Sequence, residues 1–525
     1  MTPVATTAAV ELTALVLLAC ATAGWLMVAQ ARIQVACGLA VLVLAPVALL
    51  ASVTGDNEAS LPPVSPTLVL AAAAAGLAVL AAVTALFTRY PRLIAPAVLL
   101  ALPIRLPLVV GGESIKLLLP LYLVIAAAVC ARAWAEFRGN GDESAPAPKT
   151  LDLGLSVVLV MYALQAIYSG DSGTAAQNMA FFYAPFALLY RVIGRVKWDR
   201  ALVRTCFLLV VGLALVLVLG GVFEFATGRY LINPPGIKAN DFDPYFRVRS
   251  LFFDPNVFGR FIAIVMVVVA ALLLYTERSL RVLMSALVLA VLWVGLVLTL
   301  SQTSIASLLV GLTTLAALRW RAKPVLAAAA AAGVFAVAFV LLFSSVLHVD
   351  LNTSRGAETA TSGRFDLVVG GVKMVGDRPL LGYGSGSYST VFIEQGYAKK
   401  RTVTGAATTS KSHTAPLTVA AEQGLIGFAA YLFLLILAFQ TVFRRVHSDD
   451  LPAQVARVAV AAAFTALFVH SLAYAALFED PLTWTLLGMA VSLNAIRRPT
   501  VAIGNPTGVS GSDEAVLDIG PEVAT

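Results

Sequence analysis

Residues 256–276 read NVFGRFIAIVMVVVAALLLYT, twenty-one residues that contain one charge, Arg260, and no proline. A hydrocarbon layer about 30 Å thick takes roughly 20 apolar helical residues to cross. Within it only a helix or a closed barrel satisfies its own backbone. Asp254-Pro255-Asn256 stands just before the run, a capping side chain with a turn-setting proline that marks a helix entry. The stretch therefore predicts a membrane-spanning helix. Runs of the same kind lie on either side, near 8–30, 33–53, 66–88, 93–110, 115–134, 151–169, 177–194 and 202–226 before it. After it come 280–300, 303–319, 324–346, 415–443, 453–477 and 481–496, fifteen in all.

The composition agrees. Of 525 residues 59% are hydrophobic and 12% charged, and mean hydropathy is +0.88. Soluble domains carry roughly 45–50% apolar and about 25% charged residues, so a soluble enzyme, a disordered chain and a fibrous repeat are all excluded. The fold class is an all-α, polytopic membrane helix bundle. The formal charge of +7 is spread in short clusters between the apolar runs, which indicates membrane topology and no nucleic-acid partner. Cys20, Cys37, Cys130 and Cys206 all fall inside apolar runs without a CxxC spacing, which argues against a metal or disulfide framework.

Arg89 and Arg92, Arg195 to Arg200, Arg278 and Arg281, Arg319 to Lys323, Arg444 and Arg445, and Arg497 and Arg498 flank spans on one side. By the positive-inside bias that side is cytoplasmic. The first run follows no basic segment and is expected to stay as a span with its N-terminus outside. The expected organisation is N-terminal membrane helices at 1–134 and a cytoplasmic linker at 135–150, which ends in Ala-Pro-Ala-Pro before Lys149. Membrane helices follow at 151–346, with an outer loop at 227–255. A large outer-face loop occupies 347–412, C-terminal helices 413–498, and a disordered cytoplasmic tail 499–525. The large outer loop holds eight cations against five anions, an excess of three on the side where cations are not needed for topology.

Three constellations sit at the outer side. The first is Arg247-Val248-Arg249 before Asp254-Pro255-Asn256, with Arg260 one turn into the span. A helix cap explains the Asp-Pro-Asn but not the arginines, whose planar forks match phosphate oxygens. The second is Arg364, opening an amphipathic stretch over 364–376, then Asp377-Arg378-Pro379-Leu380-Leu381 and the glycines Gly382, Gly384 and Gly386. These force a tight turn whose N–H groups are available to an anion; the turn follows no strand, so a dinucleotide-binding reading fails. The third is His413-Thr414-Ala415-Pro416-Leu417, followed by Glu422, Gly424 and Gly427. An imidazole where a polar loop meets a membrane helix suits proton abstraction from a hydroxyl, and Glu422 suits a cap or a cation partner. Arg105, near the outer end of 93–110, is a charge at membrane depth and so a further candidate for substrate contact.

These blocks, in this order, resemble the O-antigen ligase and polymerase family of bacterial polysaccharide assembly. Arg247, Pro255 and Asn256 match its first motif. Arg364, Asp377, Pro379, Leu380, Gly382, Gly384 and Gly386 match the second, and His413, Leu417, Glu422, Gly424 and Gly427 the third. The sequence departs from the pattern at Val368, where the family often has Trp, and at Thr414, where Asn usually follows the histidine. Fifteen runs also exceed the dozen or so spans usual there.

The resemblance implies a fold like that of the C-type glycosyltransferases, and a metal-independent, cofactor-free glycan transfer on the outer face of the inner membrane. The donor would be a glycan on undecaprenyl diphosphate. The acceptor would be a hydroxyl of a glycan, a lipid or a protein, corresponding to polymerase, ligase and oligosaccharyltransferase activities. His413 would be the catalytic base, with Arg247, Arg249, Arg260 and Arg364 on the diphosphate. Asn256, Asp377, Gly382, Gly384, Gly386 and Glu422 would support them. The competing class is a polysaccharide transporter or lipid-glycan flippase. Such a protein would place its polar groups at the bilayer midplane in broken, repeated helices, whereas here they gather at one surface.

Overall fold

The computed structural model describes residues 3–55, 65–110, 113–139, 149–232, 245–342, 364–396, 414–446, 451–474 and 477–495. The N-terminal part comprises α1 (Pro3–Met27), α2 (Ala31–Gly55), α3 (Pro66–Arg89), α4 (Ile94–Ala101) and α5 (Leu119–Phe137). A hairpin of β1 (Leu106–Val110) and β2 (Glu113–Leu117) separates α4 from α5. Then come α6 (Thr150–Gln165), α7 (Ser172–Asn178), α8 (Ala184–Ile193), α9 (Arg200–Thr227), α10 (Pro255–Leu274), α11 (Ser279–Leu298), α12 (Gln302–Arg319) and α13 (Ala322–Leu342). The last are α14 (Arg364–Asp377), α15 (Tyr388–Glu394), α16 (Ala415–Phe443), α17 (Leu451–Ser471) and α18 (Pro481–Ala495).

The architecture is the expected all-α multi-pass bundle. Ten of the described helices are long and apolar enough to cross a membrane, against fifteen apolar runs in the sequence. Part of the difference lies in how particular runs fold. The run at 93–110 stops as a helix at Ala101, about 12 Å long at 1.5 Å per residue. Pro103 and Pro107 lack the N–H that would continue it, and the chain pairs instead as an antiparallel hairpin, Leu106 against Leu117 and Val110 against Glu113. Arg105 is thus in a connection, not in a span. The run at 177–194 is reached through α7 and a π-turn at Met179–Tyr183 that feeds α8. The runs at 280–300 and 303–319 are separate helices, parted by Leu300 in the left-handed region (φ 49°) and by Ser301, which caps α12 at Ser304 N.

Apolar character does not decide position in the bundle. The most apolar windows of α3 and α10 have mean hydropathies of 2.4 and 2.7, yet none of the former and 78% of the latter is buried inside the protein. α10 is the central post, packed against α9, α11, α12 and α17, whereas α3 lies at the periphery against α5. The basic clusters among the described residues share one end, and Arg497 and Arg498 lie outside those residues. Arg92 pairs with Asp199 at 3.1 Å, Arg195 bonds to Gln34, Arg319 donates to the last carbonyl of α10 at Leu274 (3.4 Å), and Arg445 reaches Asn494 O at 2.8 Å. Cations at helix C-termini meet the negative end of the helix dipole.

Near that end Asp152 of α6, fully buried, accepts from Tyr190 Oη at 2.7 Å and from its own N-cap backbone, Lys149 N, at 2.8 Å. It also pairs with Arg191 at 3.5 Å. Arg191 in turn donates to Leu26 O at 2.7 Å, so α1, α6 and α8 meet at one ion pair. Breaking a buried pair from one side leaves an uncompensated charge and costs about 3–5 kcal/mol. Asp152→Ala is expected to lose that much, read as a lower unfolding temperature in detergent. The double change Asp152→Leu with Arg191→Met should recover most of it.

Candidate functional site

The end opposite the basic clusters carries the polar joints. Asp254 caps α10, accepting from Asn256 N at 2.7 Å and Val257 N at 3.3 Å, with Pro255 at the first helical position. The carboxamide of Asn256 faces back and accepts from Arg247 Nη2 at 3.0 Å, while Arg247 Nε donates to Thr299 O at 3.0 Å. Arg247 is thereby aimed from two sides and is half-buried. Its neighbour is differently placed. Arg249 is 1% exposed; its guanidinium lies 3.7 Å from the Tyr230 ring centre and donates to Ile232 O at 3.2 Å. Arg260 is buried against Asp480 in an ion pair. The sequence reading sent Arg247, Arg249 and Arg260 alike to a diphosphate. The latter two already have partners within the protein, an aromatic face for Arg249 and a carboxylate for Arg260.

The glycine turn takes up an anion of the protein itself, the Glu422 carboxylate. Its N–H groups point into the protein. Gly386 N and Tyr388 N donate to the two carboxylate oxygens of Glu422 at 3.0 and 3.2 Å, and Gly384 N donates to the Glu422 carbonyl at 2.7 Å. Glu422 lies two turns into α16, just before a kink at Gly424 (φ 64°, ψ −170°). At the kink Leu425 N returns a bond to Pro379 O at 2.7 Å. The two backbones touch: a Cβ on Gly424 would lie 2.3 Å from Leu380 O, and one on Gly382 would lie 2.4 Å from Glu422 O. Both glycines have positive φ. The same turn rests on the segment after α6, through Tyr168 Oη to Leu381 O and Ser169 Oγ to Ser385 O, each 2.8 Å. Burial, with Glu422 adding, pushes the Tyr388 hydroxyl well above its ordinary pKa.

Arg364 is the first residue of α14, and its side chain lies outside the described part, as does the whole of His413. Asp377 ends α14 and is exposed. His413 directly precedes Thr414, the N-cap of α16. A partly open pocket runs alongside the first turns of that helix, lined by Tyr162, Tyr183, Tyr431, Trp484, Glu422 and Glu479 among others. It is aromatic and acidic rather than cationic.

Sequence reasoning gave no role to the α17–α18 connection, yet it joins both halves of this end. Tyr474 Oη donates to the Asp254 carboxylate. Burial, Asp254 and that hydrogen bond hold the Tyr474 hydroxyl protonated, far above its usual range. Asp480 pairs with Arg260 and caps α18 at Leu482 N, 2.9 Å. The signal available in the sequence was an ionisable residue beside a membrane run, which His470, Glu479 and Asp480 all satisfy. Arg105 stands with its guanidinium 5.8 Å from the Phe252 ring centre. Its pKa is drawn down by burial and then by Arg260, against the opposing charges of Asp480 and Asp254. Among the described residues no group of three or more His, Cys, Asp and Glu side chains is arranged to hold a metal ion.

A multi-pass helical protein with its polar joints gathered at one end is the class that fold and geometry define. Residues 287–432 match the family model described as O-antigen ligase. The matched segment begins within α11 and ends within α16, taking in the α11–α12 break, the glycine turn, Glu422 and the Gly424 kink; Arg247 lies upstream of it. No curated protein matches the chain. The chain is thus a multi-pass membrane protein whose C-terminal half holds a segment similar to O-antigen ligase.

Glu422 has a checkable structural cost. Glu422→Ala orphans two buried N–H groups, at on the order of 1–3 kcal/mol for each that stays unsatisfied. Glu422→Gln keeps one acceptor and should lose less. Limited proteolysis at 379–390, compared with wild type at equal membrane abundance, is expected to quicken in the order wild type, Gln, Ala.

Proposed function

We propose that the protein is a glycosyltransferase that moves a glycan from undecaprenyl diphosphate to an acceptor hydroxyl. The transfer takes place at the end of the bundle opposite the basic clusters, the outer face of the inner membrane. The observation that carries this reading is Arg247, held in a fixed direction by Asn256 and Thr299 at the mouth of α10, in a chain whose following segment matches O-antigen ligase. An arginine fork so held is preorganised for phosphate oxygens, and Arg364 is its proposed partner from the start of α14. Arg249 and Arg260 act beneath them, as struts for the loop and for α10. Asn256 aims Arg247; Glu422 and the three glycines fix the turn after α14, with Asp377 at its start. The segments 227–255 and 347–412 together make the outer-face working surface.

In the transfer, the acceptor oxygen forms a bond to the anomeric carbon as that carbon's bond to the diphosphate oxygen breaks. The hydroxyl proton passes to His413, and the electron pair leaves on the diphosphate. Cations already placed where that charge accumulates stabilise the transition state without reorganising. No metal is needed in this scheme. The acceptor is a hydroxyl on a glycan, for a polymerase, or on a lipid, for a ligase.

With purified protein and a labelled lipid-linked glycan, Arg247→Ala and Arg364→Ala should each lose on the order of 1.5–3 kcal/mol of donor interaction, with Arg→Lys restoring only part. Wild-type rates in both alanine variants would overturn the phosphate role. Movement of the labelled glycan across the bilayer without transfer would make the protein a flippase.

His413→Ala should reduce transfer roughly 10²–10⁴-fold while donor binding is kept. A base must be neutral to accept a proton, so wild-type activity should climb as pH rises through the imidazole range near ~6.5. That limb should vanish in the variant. If His413→Asn retains both rate and pH limb, His413 is a helix-start residue and not the base.

A further inference from the structure

His470 has no exposed surface and lies in α17, within one of the apolar spans. Its Nε2 is 3.3 Å from Ser304 Oγ. Ser304 Oγ is 2.8 Å from Ser301 Oγ, Ser301 Oγ is 2.9 Å from Asn256 Oδ1, and the same Oδ1 receives Arg247 Nη2 at 3.0 Å. The contacts form one continuous chain across α17, α12 and α10 to the arginine proposed to hold the donor.

The protons in this chain can be counted. A guanidinium has donors only, so the Asn256 atom facing Arg247 is its oxygen. Ser301 touches that oxygen and must donate to it, which spends its one proton. At 2.8 Å from Ser301, Ser304 must then donate in turn, which spends its own. With its proton on the shorter contact to Ser301, Ser304 has none for the Asn256 carbonyl, 3.3 Å away, and its contact with His470 Nε2 is satisfied only if that nitrogen carries a hydrogen. The chain therefore runs one way: His470 to Ser304 to Ser301 to Asn256. Asn256 Oδ1 ends with both lone pairs taken, one by the chain and one by Arg247.

We propose that His470 is a positioning residue for the donor site. Its Nε2–H fixes the hydroxyl chain that locks the Asn256 carboxamide, and the locked carboxamide sets the direction of Arg247. This rests on the reading of Arg247 as a diphosphate ligand. The arrangement also gives a reason for a titratable ring inside an apolar helix, where a polar group without a partner is costly. The Tyr474 ring centre is 5.8 Å from that of His470, and Tyr474 donates to Asp254. The end of α17 and the residues just after it thus hold both the cap of α10 and the residue two positions past it.

The test uses the full-length chain in nanodiscs, with undecaprenyl diphosphate as the probe and unfolding temperature as the folding control. Arg247→Ala should weaken binding by about tenfold or more, on the scale of a lost charged hydrogen bond. His470→Leu and Ser304→Ala should each weaken it about three- to tenfold, the worth of one neutral hydrogen bond. His470→Gln, which keeps an N–H near the Nε2 position, and Ser304→Thr, which keeps the hydroxyl, should restore it. The double variant His470→Leu/Ser304→Ala should be no worse than either single, because both cut one chain.

If Arg247→Ala loses affinity while Ser304→Ala and His470→Leu bind as wild type, the positioning role is overturned and the donor reading stands. If Arg247→Ala itself binds as wild type, the donor reading fails. A loss in His470→Leu that His470→Gln does not repair also overturns the donor chain. Should His470→Leu not accumulate, Ser304→Ala, nearly unchanged in size, decides the matter.

Discussion

A carboxylate cannot sit among apolar helices unless its oxygens are taken up by donors, and in this protein that necessity places the joints. Asp152 takes a tyrosine and an arginine of α8. Glu224 of α9 accepts Leu231 N, Arg249 N and Ser250 N at 3.1, 2.9 and 2.9 Å, and so ties the loop before α10 to the helix that precedes it. Asp254 caps α10 and receives Tyr474. Glu422 binds the glycine turn, and Asp480 joins α18 to α10. Each of these groups connects elements that apolar packing alone would leave free to slide. In hydrocarbon, packing between helices has little preference for one register over another, so the directional contacts supply it.

Four of the five joints lie at the end away from the basic clusters, and they divide the charged groups there into two kinds. Arg249 and Arg260 are spent on structure, stacked on Tyr230 and paired with Asp480. Arg247 is aimed by an amide and a carbonyl, Asn256 Oδ1 and Thr299 O. That fixed direction beside the mouth of α10 is why Arg247 carries the functional proposal. The glycine turn follows the same division. Its N–H groups stabilise Glu422 and hold the Gly424 kink, so the turn fixes the start of α16, the helix that His413 immediately precedes.

The adjacent pair Glu479 and Asp480 shows how closely the two working regions are coupled. Glu479 lines the aromatic space beside α16, whereas its neighbour Asp480 pairs with Arg260 in α10. One short connection thus touches the helix that carries Asn256 and the helix that carries Glu422. The segment matched to O-antigen ligase ends at residue 432, before this connection begins, so the site is completed by chain that the family match does not reach.

The apolar runs by themselves determined a helical membrane bundle, since runs of about 20 residues fit spanning helices whereas barrel strands take about ten. The spacing of basic clusters determined that they share one end, and the three polar motifs were legible because charges and glycines are rare in such a composition. Only the tertiary structure decided which helix is central. Hydropathy measures departure from water, and lipid and protein interior are about equally apolar, so α3 and α10 look alike in sequence and differ entirely in burial. The partners of the charged groups were likewise invisible: Asp254 meets Tyr474 and Arg260 meets Asp480 across some 220 residues, a pairing set by how helices cross and not by anything written beside either residue. His470 is the sharpest instance. In sequence it is one histidine inside an apolar run, and its hydrogen-bond direction follows only once Ser304, Ser301, Asn256 and Arg247 are brought into line.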